Sequence, residues 1–367
     1  MFATLQRIGR SLMLPIAVLP AAGILLRFGQ ADLLNIPWLA DAGGAIFGNL
    51  ALLFAIGVAV GFTADVGTAG IAGAVGYWVF TKVLGDISTA VYPGSEVDMG
   101  VLAGILMGLL AAYLYERYHT IKLPEWLAFF GGKRFVPIVT AFVGLVLGII
   151  FGLVWYWPEQ LLAAIGNWVT GAGAIGAAVH AFLNRLLIPF GLHHVINSIV
   201  WFEFGDLTNF FDTAGAQGGQ FMTGFFPIMM FGLPAAALAM YTTAKSENKK
   251  VIGGILFSAA LTSIITGITE PVEFAFMFVA PVLYVLHAVL TGVSAFITIA
   301  LGMRHGFTFS SGLIDYLLNF GIATNPILLL IIGLIFGVIY YFVFVAVIRA
   351  MDIPTPGREP EIDEAAE

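Results

Sequence analysis

Apolar residues occur along this chain in stretches of about twenty, the length that a helix needs to cross the hydrocarbon core of a bilayer. Polar residues lie mostly between these stretches. The pattern predicts about ten transmembrane helices. Their approximate ranges are residues 11–29, 45–64, 67–84, 99–117, 134–157, 160–184, 221–243, 250–267, 282–302 and 324–348. The predicted fold class is therefore an all-α integral membrane protein.

Two segments interrupt the apolar pattern. Residues 267–274 place two carboxylates and a proline within an apolar stretch, and residues 186–220 place a proline, two histidines, Glu203 and Asp206 among aromatic residues. Non-helical backbone at membrane depth is tolerated only inside protein or beside a water-filled cavity. We therefore predict two re-entrant, hairpin-like segments that line a solute site.

The two interruptions divide the chain into regions. We predict an N-terminal membrane half over residues 1–185 and a C-terminal membrane half, with both re-entrant segments, over residues 186–350. Residues 351–367 form an acidic tail, since six of the acidic residues fall in the last 16 positions. Proline and charge in this tail favour a solvated linker.

Composition supports a membrane protein and limits its chemistry. The chain is 60% hydrophobic and only 10% charged, which excludes an ordinary soluble domain. It has no cysteine, which excludes disulfides and thiolate chemistry from this polypeptide. No P-loop, nucleotide fingerprint or nucleic-acid pattern is present, so we expect no cofactor and no nucleic-acid partner.

Basic residues predict the orientation in the membrane. Lys245, Lys249 and Lys250 form the densest basic cluster outside the termini, and basic residues concentrate in cytoplasmic loops. Arg7 and Arg10 precede the first apolar stretch, and basic residues also follow the last one. A secretory signal peptide is the alternative for the N-terminus, but two prolines and many further spans favour a first membrane helix. Both termini are predicted to be cytoplasmic.

Glu270 and Glu273 are the first candidate site residues. Pro271 fits the first turn of a helix, so both carboxylates have a structural explanation as a helix start. However, an ionisable residue within the membrane is costly and by default indicates function. Carboxylates accept hydrogen bonds from neighbouring hydroxyls, as on a sugar. The sequence leaves both explanations open for Glu273 and favours binding for Glu270.

His193 and His194 form the second candidate site, with Arg185 before them and Asn197 after them. Histidine both donates and accepts hydrogen bonds, and it titrates near neutral pH, so it suits a hydroxyl that must lose its proton. Adjacent helical side chains diverge by about 100 degrees, so the two histidines are not expected to share one ligand. No His/Glu spacing here predicts a metal site. The polar loop at residues 304–315 either contacts a partner or turns the chain.

Six segments resemble a known family. They are LQRIGRSLMLPIAVLPAAGILLRFG, GLHHVINSIVWFEFGD, FFPIMMFGLPAAALAMY, GITEPVEFAF, HGFTFSSGLIDY and PTPGRE. They are similar to the membrane IIC component of sugar permeases of the phosphoenolpyruvate-dependent phosphotransferase system (PTS), in the glucose/N-acetylglucosamine superfamily. The second and third look more like the N-acetylglucosamine branch. The resemblance runs nearly from end to end, and GITEPVEF is its most specific part.

The resemblance implies group translocation in a bacterial cytoplasmic membrane: the hexose crosses and a phosphocysteine on a IIB domain phosphorylates its 6-hydroxyl. This chain would be part of a phosphotransferase without supplying that cysteine. It also implies that Glu270 holds sugar hydroxyls and His193 assists the reacting one. Further contacts are expected from Thr269, Glu273, His194, Asn197 and Arg185. A homodimer with a scaffold half and an elevator-like, sugar-carrying half is expected as well.

Other functions remain possible from the residues alone. A glucose-specific IIC component is one alternative. An ion-coupled secondary sugar transporter also needs buried carboxylates and broken helices. A membrane enzyme acting on lipid-linked substrates would need a nucleophile or a metal cluster. A purely structural membrane protein would leave the buried carboxylates unexplained.

Overall fold

The computed structural model describes residues 11, 15, 18–63, 66–94, 97–190 and 193–358, with side chains for all of these except residues 19, 20, 190, 194, 195 and 198. In these ranges the chain is mainly helical and contains no β-strand, which confirms the all-α prediction. Arg7, Arg10 and the end of the acidic tail lie outside the described residues, as does part of the first predicted span.

The α-helices of the described ranges carry the following bounds. In chain order they are α1 (Leu19–Gly29), α2 (Pro37–Gly48), α3 (Leu50–Phe62), α4 (Gly67–Val91), α5 (Gly100–Tyr118), α6 (Phe135–Val154), α7 (Tyr156–Gly171), α8 (Ala174–Leu187), α9 (His193–Ser198), α10 (Asp206–Asp212), α11 (Leu233–Thr243), α12 (Lys249–Thr266), α13 (Glu270–Met277), α14 (Pro281–Ala300), α15 (Leu313–Leu318) and α16 (Pro326–Ala350).

Several of these helices can cross a membrane. Within the described ranges, six helical stretches are long and apolar enough, and eight if each of two bent helix pairs counts as one span. A multi-pass membrane protein is thus confirmed, whereas a count of ten spans is not. The six are Gly100–Tyr118, Gly132–Val154, Thr223–Thr243, Lys249–Thr266, Pro281–Ala300 and Pro326–Ala350.

The predicted span at residues 160–184 is not one continuous helix. The structure has two helices there, α7 and α8, which meet at an angle of 112°. Gly173 directly precedes α8 and has a φ of +56°, which side chains with a Cβ rarely adopt. A hydropathy pattern does not reveal this bend, because the glycine and alanine residues of the turn suit a membrane as well as the residues of the two helices do. A second bend, of 55°, separates α2 from α3.

The chain forms two compact units. Unit 1 comprises Met1–Trp168 and Phe190–Phe204, and unit 2 comprises Val169–Pro189 and Gly205–Glu367. The segment with α9 therefore belongs to the unit built mainly from the first part of the chain, and α8 belongs to the other. Unit 2 has a core of large apolar side chains from α11, α13, α14 and α16, among them Phe276, Leu283, Tyr340 and Phe344.

The first part of the acidic tail packs on unit 2. Ile353 and Thr355 are buried, the backbone N–H of Lys245 donates to the carbonyl of Gly357 at 3.0 Å, and Arg358 donates through Nη1 to the carbonyl of Thr243 at 2.9 Å. The tail is therefore attached to the end of α11 up to residue 358. A linker role for the residues beyond stays a prediction.

Glycines bring the helices of unit 1 into close contact. A Cβ on Gly104 of α5 would lie 2.0 Å from the carbonyl oxygen of Ala51 on α3. Along α6, Gly144, Gly148 and Gly152 lie against α4 in the same way. Small residues at helix interfaces suit a membrane, where apolar burial gives little force between helices and close van der Waals packing must supply it.

We expect Gly104→Ala to lower the free energy of unfolding by about 1–3 kcal/mol, the typical cost of overpacking, because the new methyl group meets backbone rather than a movable side chain. Gly85→Ala on α4 is the matched control, since a Cβ there meets nothing within 4 Å. Thermal unfolding in detergent should show a lower midpoint for Gly104→Ala alone. Equal unfolding midpoints for the two variants would contradict the close contact between α3 and α5.

Candidate functional site

The break between α12 and α13 creates the candidate site. Helix α12 ends at Thr266, and Gly267 follows with a φ of +74°, a left-handed conformation that terminates the helix. Helix α13 begins at Glu270 with Pro271 in its first turn, as the sequence predicts. The break places Glu270 and Glu273 in the first turn of the new helix, where the helix dipole favours negative charge.

Glu273 is fully buried and held by two partners from distant helices. Its Oε1 accepts a hydrogen bond from Nη1 of Arg185 at 2.6 Å and one from Nε2 of His287 at 3.1 Å. Arg185 is itself only 3% exposed, and its Nη1 also donates to Oγ1 of Thr269 at 3.3 Å. The buried carboxylate is thus compensated by a buried guanidinium, which is the condition for both charges to remain inside protein.

A wider network fixes the Arg185–Glu273 pair. Nδ1 of His287 lies 2.9 Å from the Tyr340 hydroxyl. The Tyr284 hydroxyl donates to the backbone carbonyl of Arg185. The guanidinium of Arg185 stacks on the ring of Phe225 at 4.9 Å from its centre, a cation–π contact. Side chains from α8, α14 and α16 therefore hold the beginning of α13 in one position.

Glu270 has a different environment. Its side chain is partly exposed, and its Oε2 accepts the backbone N–H of Thr269 at 3.1 Å. This bond orients the carboxylate without covering it. Of the two carboxylates, Glu270 is the one open to a ligand, whereas the contacts of Glu273 favour its role as an anchor.

A second loop supports the break from the other side. Oδ1 of Asp315 accepts hydrogen bonds from the backbone N–H and the hydroxyl of Thr308 at 2.7 and 2.8 Å, and Oδ2 accepts the N–H of Ser310 at 3.3 Å. The Ser310 hydroxyl then donates to the carbonyl of Gly267 at 2.8 Å. A Cβ on Gly312 would lie 2.5 Å from the nitrogen of Gly267. The loop whose purpose the sequence leaves open thus packs directly on the site.

The predicted site residues fall in both units. Arg185, Thr269, Glu270 and Glu273 come together in unit 2. His193 and Asn197 belong to unit 1, where both are buried one helical turn apart on α9. The backbone of His194 lies in α9, but its side chain is not described.

Three residues of the site were missed at the level of sequence: Tyr284, His287 and Tyr340. Tyr284 and His287 are three residues apart on α14 and therefore share a helix face, which is a weak signal for a common environment. Nothing in the sequence identifies Glu273 or Arg185 as their partners. Both ring nitrogens of His287 have partners, Nδ1 the Tyr340 hydroxyl and Nε2 the Glu273 carboxylate.

The arrangement suits the recognition of a neutral polyol. A partly exposed carboxylate accepts hydrogen bonds from two hydroxyls, and a rigid buried network holds it in place. The described residues contain no group of three or more His, Cys, Asp or Glu side chains arranged to hold a metal ion. The residues present supply hydrogen-bonding and proton-accepting groups.

Comparison with known proteins gives consistent matches. Residues 9–292 match the model of a family described as "Phosphotransferase system, EIIC". The chain is 53% identical over 98% of its length to the N-acetylglucosamine-specific EIICBA component of Escherichia coli, and it covers 57% of that relative. It is 50% identical to the N-acetylglucosamine-specific EIICB component of Bacillus subtilis, with 99% of this chain and 81% of the relative covered. The N-acetylglucosamine-specific EIIC component of Streptomyces coelicolor is also 50% identical, with 98% and 94% covered.

Two facts set the scope of these similarities. The chain spans little more than half the length of the Escherichia coli relative. Among solved structures, the transporter ChbC, the IIC component from the N,N'-diacetylchitobiose-specific phosphotransferase system, matches with a TM-score of 0.61 over 95% of this chain and 94% of that one. The identity is 17%, so this likeness concerns the fold alone.

Proposed function

Because the chain belongs to the phosphotransferase system EIIC family, we propose that it binds N-acetylglucosamine and carries it across the membrane for coupled phosphorylation. The observation that carries the proposal is the 50–53% identity, over nearly the whole chain, to relatives named for that sugar. A relative named for glucosamine is 47% identical and one named for glucosides 41%. These relatives do not favour the glucose-specific or the ion-coupled alternative.

The phosphoryl donor must come from another domain, because this sequence contains no cysteine. We assign it to the phosphocysteine of a IIB domain, which agrees with the "EIICB" and "EIICBA" names of the longer relatives. In the proposed step the sugar 6-hydroxyl oxygen attacks phosphorus, an O–P bond forms and the S–P bond breaks. His193 accepts the hydroxyl proton.

The site residues receive distinct roles in this proposal. Glu270 accepts hydrogen bonds from sugar hydroxyls, and the ion pair of Glu273 with Arg185 holds it in place. Thr269 directly precedes Glu270, and its hydroxyl accepts a hydrogen bond from Arg185. We propose it as a further contact to the sugar. His194 and Asn197, on the same short helix as His193, are proposed as further sugar contacts.

The assembly and motion of the protein are part of the same proposal. We propose a homodimer in the bacterial cytoplasmic membrane with both termini in the cytoplasm. We also propose an elevator-like motion in which a sugar-carrying part moves against a scaffold. Cross-linking of dimers and labelling of single cysteines introduced into the loops would test these points.

Binding and transport assays test the proposed function. The purified chain should bind labelled N-acetylglucosamine more tightly than glucose. Membrane vesicles with a phosphorylated IIB domain should produce N-acetylglucosamine 6-phosphate inside. Accumulation of free sugar on a proton or sodium gradient, without phosphoenolpyruvate, would instead identify an ion-coupled transporter. Tighter binding of glucose would identify the glucose branch.

We expect His193→Gln to slow phosphorylation about 100-fold while sugar affinity changes only a few-fold, because a general base contributes to the reaction more than to binding. His119→Gln is the matched control: Nδ1 of His119 is 2.8 Å from the carbonyl of Tyr115, and we place this residue outside the site. The rate of sugar phosphate formation and equilibrium binding provide the two measurements. Equal losses in both would exclude a role in the chemistry.

A further inference from the structure

A groove of about 450 Å³ runs between α11 and α12 in unit 2, away from the break at Gly267. Its walls are mainly apolar, and it extends from Lys249 and Lys250 at the start of α12 to Ala260. Both helices belong to stretches that are long and apolar enough to span a membrane. An occupant of the groove must therefore be compatible with hydrocarbon over most of its length.

Glycine gives the groove its depth. A Cβ on Gly254 would meet no atom within 4 Å, so the space above it is open, while one on Gly253 would meet the ring of Tyr241 at 3.1 Å. Exposed apolar side chains flank this opening, with Leu238 52% and Phe257 68% exposed. The groove has the apolar walls and the open space that an alkyl chain requires.

The mouth of the groove is basic. Nζ of Lys249 donates to the carbonyl of Thr242 at 3.2 Å and lies 5.5 Å from the centre of the Tyr241 ring, so its ammonium is fixed at the groove. Lys250 lines the same end. Of the charged residues at positions 244–250, three are basic and Glu247 alone is acidic. The start of α12 adds the positive end of an 18-residue helix.

Ordinary lysines at helix ends extend into water and do not make a site. Here three features coincide at one end of the groove. The ammonium of Lys249 is held by a carbonyl and a ring, Lys250 lines the same end, and the N-terminus of α12 lies there. Together they supply the positive charge and the donors that a phosphate requires, and the apolar groove that begins there supplies the surface that an alkyl chain requires.

We infer that this groove is a binding site for an anionic phospholipid. The headgroup phosphate accepts hydrogen bonds from Lys249 and Lys250, and one acyl chain lies along Gly253 and Gly254. Charge complementarity selects an anionic lipid over a zwitterionic one. The inference does not depend on which sugar the protein carries, since the lining residues of the groove include none of the proposed sugar contacts.

Native mass spectrometry of the full chain in detergent, with dioleoylphosphatidylglycerol or dioleoylphosphatidylcholine added, tests the site. We expect the anionic lipid to be retained at least tenfold more tightly and to raise the thermal unfolding midpoint. The double variant Lys249→Gln, Lys250→Gln should lose this preference, and Lys249→Arg, Lys250→Arg should keep it. Lys82→Gln, at an exposed lysine of α4, is the matched control and should behave as the wild type.

Filling the groove provides a second test that leaves the charges in place. Gly254→Leu should reduce lipid retention at least tenfold, while Gly85→Leu, also at a helical position with open space, should not. Unfolding midpoints without lipid establish that both variants fold. Equal retention of both lipids, retention by the double glutamine variant, or the same stabilisation by soluble glycerophosphate would overturn the inference. A change of oligomeric state in Gly254→Leu would assign the groove to a second copy of the chain and would also overturn it.

Discussion

Replacing Glu270 by Gln is expected to lower the affinity for N-acetylglucosamine about 100-fold, because the carboxylate supplies two charge-assisted hydrogen bonds worth about 1.5–3 kcal/mol each and tenfold in affinity corresponds to about 1.4 kcal/mol. Glutamine keeps the size of the side chain but replaces one acceptor oxygen by a donor. Equilibrium binding of the labelled sugar to the purified protein measures the effect.

The partial exposure of Glu270 makes this test informative. A partly exposed side chain contributes little to the folded state, so the unfolding midpoint of Glu270→Gln should stay close to that of the wild type. Asp86→Asn, which removes a 61% exposed carboxylate from α4, controls for the general loss of a charge. Unchanged affinity in Glu270→Gln would reject its assignment as the sugar-binding carboxylate.

Replacing Arg185 by Met is expected to lower the free energy of unfolding by about 3–5 kcal/mol, because it leaves the Glu273 carboxylate buried without its cation. On Oε1 the hydrogen bond from the neutral or charged His287 ring would remain, without the guanidinium charge. Glu273→Met should be similarly costly, since it strands the guanidinium. Thermal or denaturant unfolding in detergent measures both variants.

The double variant Arg185→Met, Glu273→Met tests whether the two side chains stabilise the protein as a pair or independently. A protein often regains stability when both members of a buried ion pair are replaced by apolar residues, so the double variant should be more stable than either single one. Arg134→Met, at an exposed cation–π contact with Phe129, is the control and should cost about 1 kcal/mol or less. Additive losses in the double variant would show that the two side chains are not coupled.

The local features of the site could be predicted from the sequence. Pro271 indicates the first turn of a helix and Gly267 the end of the preceding one, because each residue type suits one backbone conformation. The break between α12 and α13 follows from these two residues and is present in the structure. The bend between α7 and α8 was not predicted, since a hydropathy pattern does not register the conformation of Gly173.

The sequence favours binding for Glu270 and leaves the role of Glu273 open, but the physical cause of the difference could not be predicted. The two residues lie three positions apart in one motif, and nothing near them in the sequence identifies the partners of Glu273. Their environments differ because Arg185, 88 residues earlier, and His287, 14 residues later, reach Glu273. Such pairing is set by the packing of α8 and α14, which no local pattern encodes.

The contact between Gly267 and Gly312 limits how the selectivity of this protein can be redesigned. The two backbones meet where neither residue has a side chain, and a methyl group on either would lie within 3.0 Å of the other segment. A library aimed at other sugars should therefore leave both glycines unchanged and vary the side chains around Glu270. The frame that presents the carboxylate is fixed, and new specificities must be built on its surface.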